Sequence, residues 1–496
     1  MSTPKPRLLS WAATAMGGTF LAPPSRADAT FAGGASDSRQ VSPGRLFFAL
    51  PGQHVDGFAF CADAARQGAA ALVVVAAGPG LPPGCDGVPV IAVSDVRRAL
   101  GDLARAARHD FPGQVIGVTG SNGKTTTKEL IAAALATAGE VLRTRGNFNT
   151  DVGLPLTVLE STATERYWVL EMAMRARGEI AYLADIARPH VAVITNVAGA
   201  HLEQLGSLDE VARAKGEIFS GLVPGGAAVF PAGDERIERE AAALPEADKR
   251  RFAFGNEGAR PVHVRVLDFS PGGERGSVVR LSVGFTPVVL RLPLPGEHNA
   301  RNAAAALAVA SACGVPPALA VGGLARVSLP DHRSCLLSLG GRVVMDDCYN
   351  ANPGSMHAAL TTVTSSAGPA ARAFAILGDM HELGAGSALE HELVGRELVK
   401  LGFTGLAAVG AAAAHIARGA RAAGLSSAYL LETLDPVVAA AAVAAWSRPG
   451  DWILVKASRA ERLERAIAAL QDKLGDKLTD RLTDRLADKP ADKRAG

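Results

Sequence analysis

Short apolar runs rich in β-branched residues recur along the chain and alternate with stretches of helical period. Leu46–Leu50, Ala70–Ala76 and Val88–Val93 read as buried strands, with helices at Phe58–Gln67 and Asp95–His109. From Gln114 the alternation continues through strands at Gln114–Val118, Tyr167–Glu171, His190–Thr195 and Ala227–Phe230, the last preceded by a helix that contains Lys215. Lys124–Ala138 carries Leu130, Ile131 and Leu135 at helical spacing, and Gly139 follows as a stop. Residues 262–292 read instead as antiparallel strands turning at Pro271-Gly272-Gly273, and Pro295–Asn299 leads into an Ala-rich helix that ends near Cys313-Gly314. Val343–Asp347, Ala373–Leu377 and Trp452–Lys456 are further buried strands. Strands alternating with helices predict an α/β fold of parallel sheets covered by helices on both faces.

Breaks in this pattern divide the 496 residues into about three domains. Residues 1–112 form a first α/β unit that ends at the hinge Phe111-Pro112-Gly113, 113–328 a central unit, and 329–470 a third that starts near Leu329-Pro330. From 471 to 496 a tetrad repeat places Asp every fourth residue from Asp472 to Asp492, with one thin Leu stripe. That stripe is too narrow for a core, so a solvated or disordered tail is expected, with a partner-binding helix as the alternative.

Composition narrows the classes. A net charge of +2 implies no polyanion, and so no nucleic acid, as partner. The five scattered cysteines lack Cys-x-x-Cys spacing, which fits a reducing compartment and argues against a disulfide frame or a zinc site. No apolar run reaches the ~18 residues of a membrane span. Lys5 and Arg7 before Leu8–Ala22 have the outline of a weak signal peptide, but Gly17-Gly18 interrupts it and Ser10 reads as the N-cap of a short helix. A cytoplasmic monomer is expected.

The chemistry gathers around Gln114–Ala138. Between its strand and helix lies Thr119-Gly120-Ser121-Asn122-Gly123-Lys124-Thr125-Thr126. Glycines there let backbone amides converge on a phosphate, and the helix N-terminus adds partial positive charge. Lys124 can reach the outer phosphates and Thr125 can offer a hydroxyl to Mg2+. The strict phosphate-loop pattern wants a glycine where Val118 stands, so this is a Gly-x-x-Gly-Lys-Thr-Thr variant. Glu171 ends the next strand at the edge where open α/β sheets bind ligands, and it fits either a Mg2+ ligand or a buried, salt-bridged acid. His201 follows a further strand on the same edge, and reads as a metal or phosphate group or as a surface histidine. No Ser-His-Asp or Cys-His set is evident.

These residues resemble the Mur ligases. Gly117–Thr126 looks like their ATP loop, and so do Glu171-Met172, Asn196-Val197 with His201-Leu202-Glu203, Ala214–Ile218, and His298-Asn299 with Asn302. Within the family the resemblance is to the branch that adds D-alanyl-D-alanine to UDP-N-acetylmuramoyl-tripeptide. It is carried by Asp346–Pro353, Leu377–Gly384, and Asn147-Phe148-Asn149 with Gly153-Leu154-Pro155. The Asp-Asn-Pro-Arg loop of the preceding ligase is not found.

The resemblance implies a UDP-substrate domain, a central ATPase domain and a Rossmann-like ligase domain. It implies ATP and Mg2+ as cofactors, and a peptide carboxylate converted to an acyl phosphate that the dipeptide amine attacks. Gly120, Ser121, Asn122, Gly123, Lys124, Thr125 and Thr126 would hold the phosphates, with Lys124, His201 and Lys215 in catalytic roles. Thr125 and Glu171 would hold one Mg2+ and His201 a second, with Lys215 as a carbamate aimed at it. Asn299 and Asn302 would meet the adenine, Asp347 the ribose, Tyr349 the base and Arg333 the phosphates. Ser38 and Arg39 would receive the UDP-sugar, and Asn147 and Asn149 the substrate.

Four positions depart from the family pattern: Ala173 and Ala457 stand where glycine is usual, Phe58 where histidine is, and His332 where glycine is common. Folylpolyglutamate synthase shares the loop, but the UDP-sugar-like first domain argues against it. A P-loop kinase or GTPase would not need the third domain. A non-catalytic scaffold is disfavoured by Lys124, Thr125, Glu171 and His201.

Overall fold

The computed structural model describes residues 3–52, 55–77, 80–199, 205–244, 250–256 and 262–475. Among the described residues the apolar runs assemble into three large sheets, beside a two-stranded pairing of Arg7–Leu8 with Thr30–Phe31. The first has five strands, in the order Thr19–Ala22, Val90–Val93, Ala71–Val75, Leu46–Phe48 and Gly34–Ala35, with only Thr19–Ala22 antiparallel to its neighbour. The signal-like stretch is part of this unit. Its helix, Leu9–Ala15, buries Leu9, Ala12 and Ala13, and Thr19–Ala22 joins the sheet. Ser10 does not cap the helix; Leu8 holds the cap position and no side chain closes it. The expected helix at 58–67 divides into a 3-10 turn, Gly57–Phe60, and an α-helix, Cys61–Arg66.

The central sheet has nine strands, and seven of them form the parallel part. Strands Ser277–Val283 and Thr286–Leu292 extend it as an antiparallel hairpin beyond Val264–Pro271. Gln114–Thr119 lies between Tyr167–Glu171 and Val191–Ile194, with Glu171 opposite Val118 and Ile194 opposite Thr119. This register brings three strand ends to one level, where the phosphate loop begins. Behind the sheet, Lys124–Leu135 and the Ala-rich helix Glu297–Ala312 share one apolar core. Two strands too short or too charged to show as apolar runs complete the sheet: Val141–Arg143 forms one edge, and Arg250–Gly255 joins Ala227–Pro231 to Val264–Pro271.

The third sheet runs Cys335–Leu339, Arg342–Asp346, Trp452–Lys456, Ala373–Gly378, Gly405–Val409 and Leu430–Thr433, antiparallel only at the first pair. Its closing helix, Glu464–Leu474, runs past residue 470, with Leu470 buried and Leu474 packed against the same core. Asp472, Lys473 and Leu474 are therefore the last turn of a core helix rather than the start of a tail, and Gly475 ends it at φ 81°. The rest of the repeat, 476–496, lies outside the described residues.

The first two units meet closely. The hinge residue Phe111 stacks on Trp168 with ring centroids 3.9 Å apart, and Arg108 donates to the Ala187 and Arg188 carbonyls at 2.7 and 2.9 Å. Among the described residues no helix is long and apolar enough to cross a membrane.

Candidate active site

The loop after Gln114–Thr119 is built as an anion cradle. Gly120 has φ 152°, and a Cβ there would sit 1.8 Å from Thr195 Oγ1. Gly123 sits at φ 74° in the N-cap position of Lys124–Leu135, with no side chain closing the helix end, so its first amides remain directed outward. The loop is held from the neighbouring strand. Thr195 Oγ1 and Asn196 Nδ2 donate to the Asn122 carbonyl at 2.6 and 3.0 Å, and the Asn122 amide donates to Asn196 Oδ1 at 2.9 Å. Ser121 Oγ donates to the Ala198 carbonyl at 3.0 Å.

Lys124 folds back, its Nζ donating to the Gly120 and Ser121 carbonyls at 2.7 and 3.2 Å. Burial pushes its ammonium below the usual lysine range, Glu171 opposes that, and the nearby Arg333 adds to it. Thr125 is buried at the start of the helix, and Thr126 lines the cleft.

Glu171 is 2% exposed at the end of its strand. Asn149 Nδ2 donates to its Oε1 at 2.8 Å, whereas its Oε2 is buried without a hydrogen-bond partner among the described residues. A buried, unpartnered carboxylate oxygen beside a phosphate loop is the donor that a hard divalent cation takes. Asn149 thus serves the acid, and both Asn147 and Asn149 line the cleft. Lys215 is 1% exposed, and no ion pair or hydrogen bond to its amine is found among the described residues. Burial, with the Lys124 charge, holds it well below the usual lysine range. It does not line the cleft. His201 lies outside the described residues, so the second metal position has no geometry here.

The third unit closes the cleft from the other side. Arg333 stacks its guanidinium 3.9 Å above the Tyr349 ring. Asp347 accepts from the Ser334 amide at 2.9 Å and pairs with the buried Lys456. Asn352 Nδ2 donates to Asn122 Oδ1 at 2.7 Å, a direct bond from the third unit to the loop. Asn302 lines the cleft beside Gly123, whereas Asn299 lies behind it, donating to the Pro295 carbonyl at 2.7 Å and accepting from Asn302 at 3.1 Å. The structure therefore brings Asn302 to the cleft and leaves Asn299 as its support. Ser38 is buried and Arg39 pairs with Asp37 on a turn of the first unit; neither lines the cleft. The cleft itself encloses about 2040 Å³.

Residues the motif reading left without a role also converge here. Asn196 and Asn352 lie in stretches that resemble the family and Lys456 ends a strand, but each acts through partners distant in sequence, so the motifs alone assign them no role. Lys128 and His298 lie in the first turns of Lys124–Leu135 and Glu297–Ala312, among other polar residues, so their sequence neighbours give neither a distinct role.

Three family profiles match in order: "Mur ligase family, catalytic domain" over 32–108, "Mur ligase middle domain" over 118–310, and "Mur ligase, glutamate ligase domain" over 332–459. The chain belongs to the Mur ligase family. It is 35% identical over 451 residues to the UDP-N-acetylmuramoyl-tripeptide--D-alanyl-D-alanine ligase of Escherichia coli strain K12, covering 90% of this chain and 95% of that one. Its fold matches a crystal structure of MurF from Acinetobacter baumannii with TM-score 0.83 and 30% identity, over 95% and 99% of the two chains. It also matches a MurF ligase from Thermotoga maritima in complex with ADP, with TM-score 0.77 and 29% identity over 89% and 98%. Within the Mur ligases it is of the MurF type.

The departures from the usual Mur ligase pattern have local accommodations. Ala457 is fully buried, and its methyl fits because residue 378 is glycine: a Cβ on Gly378 would lie 2.7 Å from it. His332 adopts φ 66°, a conformation that costs a non-glycine residue about 1–2 kcal/mol, offset by a 2.7 Å bond from Nδ1 to Asp346. Cys348 donates its thiol to the other Asp346 oxygen at 3.1 Å, and burial with that carboxylate pushes the thiol up. These three residues bring ligand-type atoms within 4.8 Å of one another, but the hydrogen bonds to Asp346 already account for them. Ala173 lines the cleft, its amide donating to the Asn149 carbonyl at 2.9 Å. Phe58 is half-buried, and its amide donates to Asp56 at 3.0 Å.

Proposed function

We infer that this chain joins D-alanyl-D-alanine to UDP-N-acetylmuramoyl-tripeptide and converts ATP to ADP and phosphate, a step of peptidoglycan precursor synthesis in the cytoplasm. The observation that carries this reading is one cleft in which the phosphate loop, Glu171 and the Arg333–Tyr349–Asp347 group face each other, in a chain matched along nearly its whole length by ligases of that name. The tripeptide carboxylate attacks the γ-phosphate, giving an acyl phosphate and ADP. The dipeptide amine then adds to the acyl carbon, and collapse expels phosphate as the amide forms. Catalysis is positioning and charge neutralisation.

The outward amides of Gly123–Thr126 cradle the phosphates, and Lys124 leaves the loop carbonyls to pair with the transferring group. Asn302 and Tyr349 flank the adenosine, with Asn299 holding Asn302. Arg333 reaches the phosphates from the third unit, and Asp347, fixed by Lys456, accepts from the ribose. Glu171 and Thr125 would hold Mg2+, which would supply charge neutralisation at the phosphates, and His201 would hold a second ion. Lys215 would act as a carbamate toward that ion; its burial and depressed pKa favour the unprotonated amine that CO2 requires. Ser38 and Arg39 meet the uridine end, away from the cleft, and Asn147 the peptide side.

ADP release should require both the UDP-tripeptide and D-alanyl-D-alanine. Release at full rate with a folate and glutamate in their place would sink the reading.

A further inference from the structure

Lys128 lies one turn beyond Lys124 on the phosphate-loop helix and is buried to 1% exposure. Its ammonium is fixed from two sides: Nζ donates to the Thr144 carbonyl at 2.6 Å and pairs with Glu129 Oε1 at 2.9 Å. Glu129 is itself held by Arg143 at 2.7 Å. Thr144 also reaches the acid at the strand end, because its hydroxyl accepts from the Glu171 amide at 2.9 Å. A second acid near the ammonium is Glu171, its Oε2 3.9 Å away. That distance is too long for a hydrogen bond and short enough for attraction between two groups that are each almost fully buried. Oε2 is the oxygen left without a hydrogen bond, while Asn149 holds Oε1.

We propose that Lys128 is a positioning residue that orients the Glu171 carboxylate for a divalent cation while leaving Oε2 free to bind it. Two rigid elements set the carboxylate. Asn149 fixes one oxygen by a hydrogen bond, and Lys128 draws the other toward itself without occupying its lone pairs. A hydrogen-bonded lysine at 2.8 Å would have competed with the cation; an ammonium restrained by Thr144 and Glu129 does not approach further. The inference rests on the reading of Glu171 as a metal ligand.

The test is binding of Mn2+ to the full chain in the presence of ADP, followed by loss of the free-ion spin-resonance signal, together with kcat and KM. Lys128→Met should weaken Mn2+ binding by about tenfold or more, the usual cost of losing a group that orients a metal ligand. It should lower kcat while leaving KM for D-alanyl-D-alanine within about threefold. Should the Met variant fail to fold, Lys128→Gln decides, because its amide can still donate to the Thr144 carbonyl. Glu129→Gln should destabilise the fold yet retain Mn2+ affinity, whereas a purely structural Lys128–Glu129 pair would make both variants alike. Wild-type Mn2+ affinity in Lys128→Gln, beside a loss in Glu171→Gln, would overturn the proposal alone. Wild-type affinity in Glu171→Gln would overturn the ligand reading, and the proposal with it.

Discussion

Asn352 Nδ2 donates to Asn122 Oδ1 at 2.7 Å, so one side chain of the third unit holds the tip of the phosphate loop. The other end of that side chain caps a helix. Asn352 Oδ1 accepts from the Ser355 amide at 2.9 Å, in a capping box at the start of Pro353–Ser366. Asn352→Asp keeps the cap acceptor but removes the donor and sets a carboxylate against an oxygen of Asn122. We expect little change in melting temperature and a rise of about tenfold in KM for ATP, the scale of one lost buried hydrogen bond. Asn352→Ala should show the same KM and in addition lose about 1 kcal/mol of stability with the cap. An unchanged KM in Asn352→Asp would mean that the contact plays no part in nucleotide binding.

Lys215 supports a second prediction. A buried lysine without an acidic partner among the described residues, pushed further down by Lys124, favours the neutral amine. Lys215→Ala should fold and bind ADP but lose on the order of 10²-fold in ligation, as expected for loss of an electrostatic group at the reacting centre. Acetate should restore part of the rate by occupying the vacated anion position, and depleting bicarbonate should slow the wild type. A fully active Lys215→Ala would exclude the carbamate.

His298 sets an acid dependence of stability. Burial pushes its imidazole down to about 4, from 6.5, with Lys456 and Arg301 acting in the same direction and Asp347 and Glu297 opposing. Between those values the unfolded chain binds a proton that the fold refuses. The contribution is therefore present above pH 6.5 and is lost as pH falls toward 4. By pH 5 the loss should reach up to about 2 kcal/mol. Urea midpoints at pH 7.5 and 5 should show the wild type losing more than His298→Gln, so that the gap between them narrows in acid. Parallel losses would mean that the imidazole protonates as freely in the fold as outside it.

The end of Glu464–Leu474 gives a truncation test. Ending the chain at Gln471 removes Leu474 from the core beside Leu339 and Leu470, and removes the glycine cap. A drop of several degrees in melting temperature is expected for a small domain losing about 1–2 kcal/mol of packing. Ending it at Gly475 keeps both, and removal of 476–496 should change neither activity nor melting. Equal melting of the two truncations would show that the last turn carries no stability.

Much of the framework was legible because its signals are local. Gln114–Val118 is apolar and β-branched, so it buries itself as a strand. Gly120 and Gly123 free the backbone that follows, and Lys124–Leu135 has helical period. Glu171 was placed at the sheet edge by the same logic, since an acid after a run of apolar strand residues can only emerge at the strand end. The start of the repeat at Asp472 misled for the opposite reason. Charge content suggested a solvated segment, but Leu474 falls on the face that Leu470 had already turned toward the core.

What the sequence by itself determined, then, is the α/β alternation, the phosphate loop and the acid beside it, because residues within one strand–turn–helix are bound to each other by the chain. What only the tertiary structure decided is which distant groups complete them. Asn352 and Asn122 are 230 residues apart, and Lys128 meets Thr144 and Glu171 through three separate elements. Asn302 reaches the cleft and Asn299 does not, although the two stand one helical turn apart. Those outcomes depend on how sheets stack and which helix face is covered. That is set by long-range packing and by the need to pair every buried polar atom, and no short stretch of sequence encodes it.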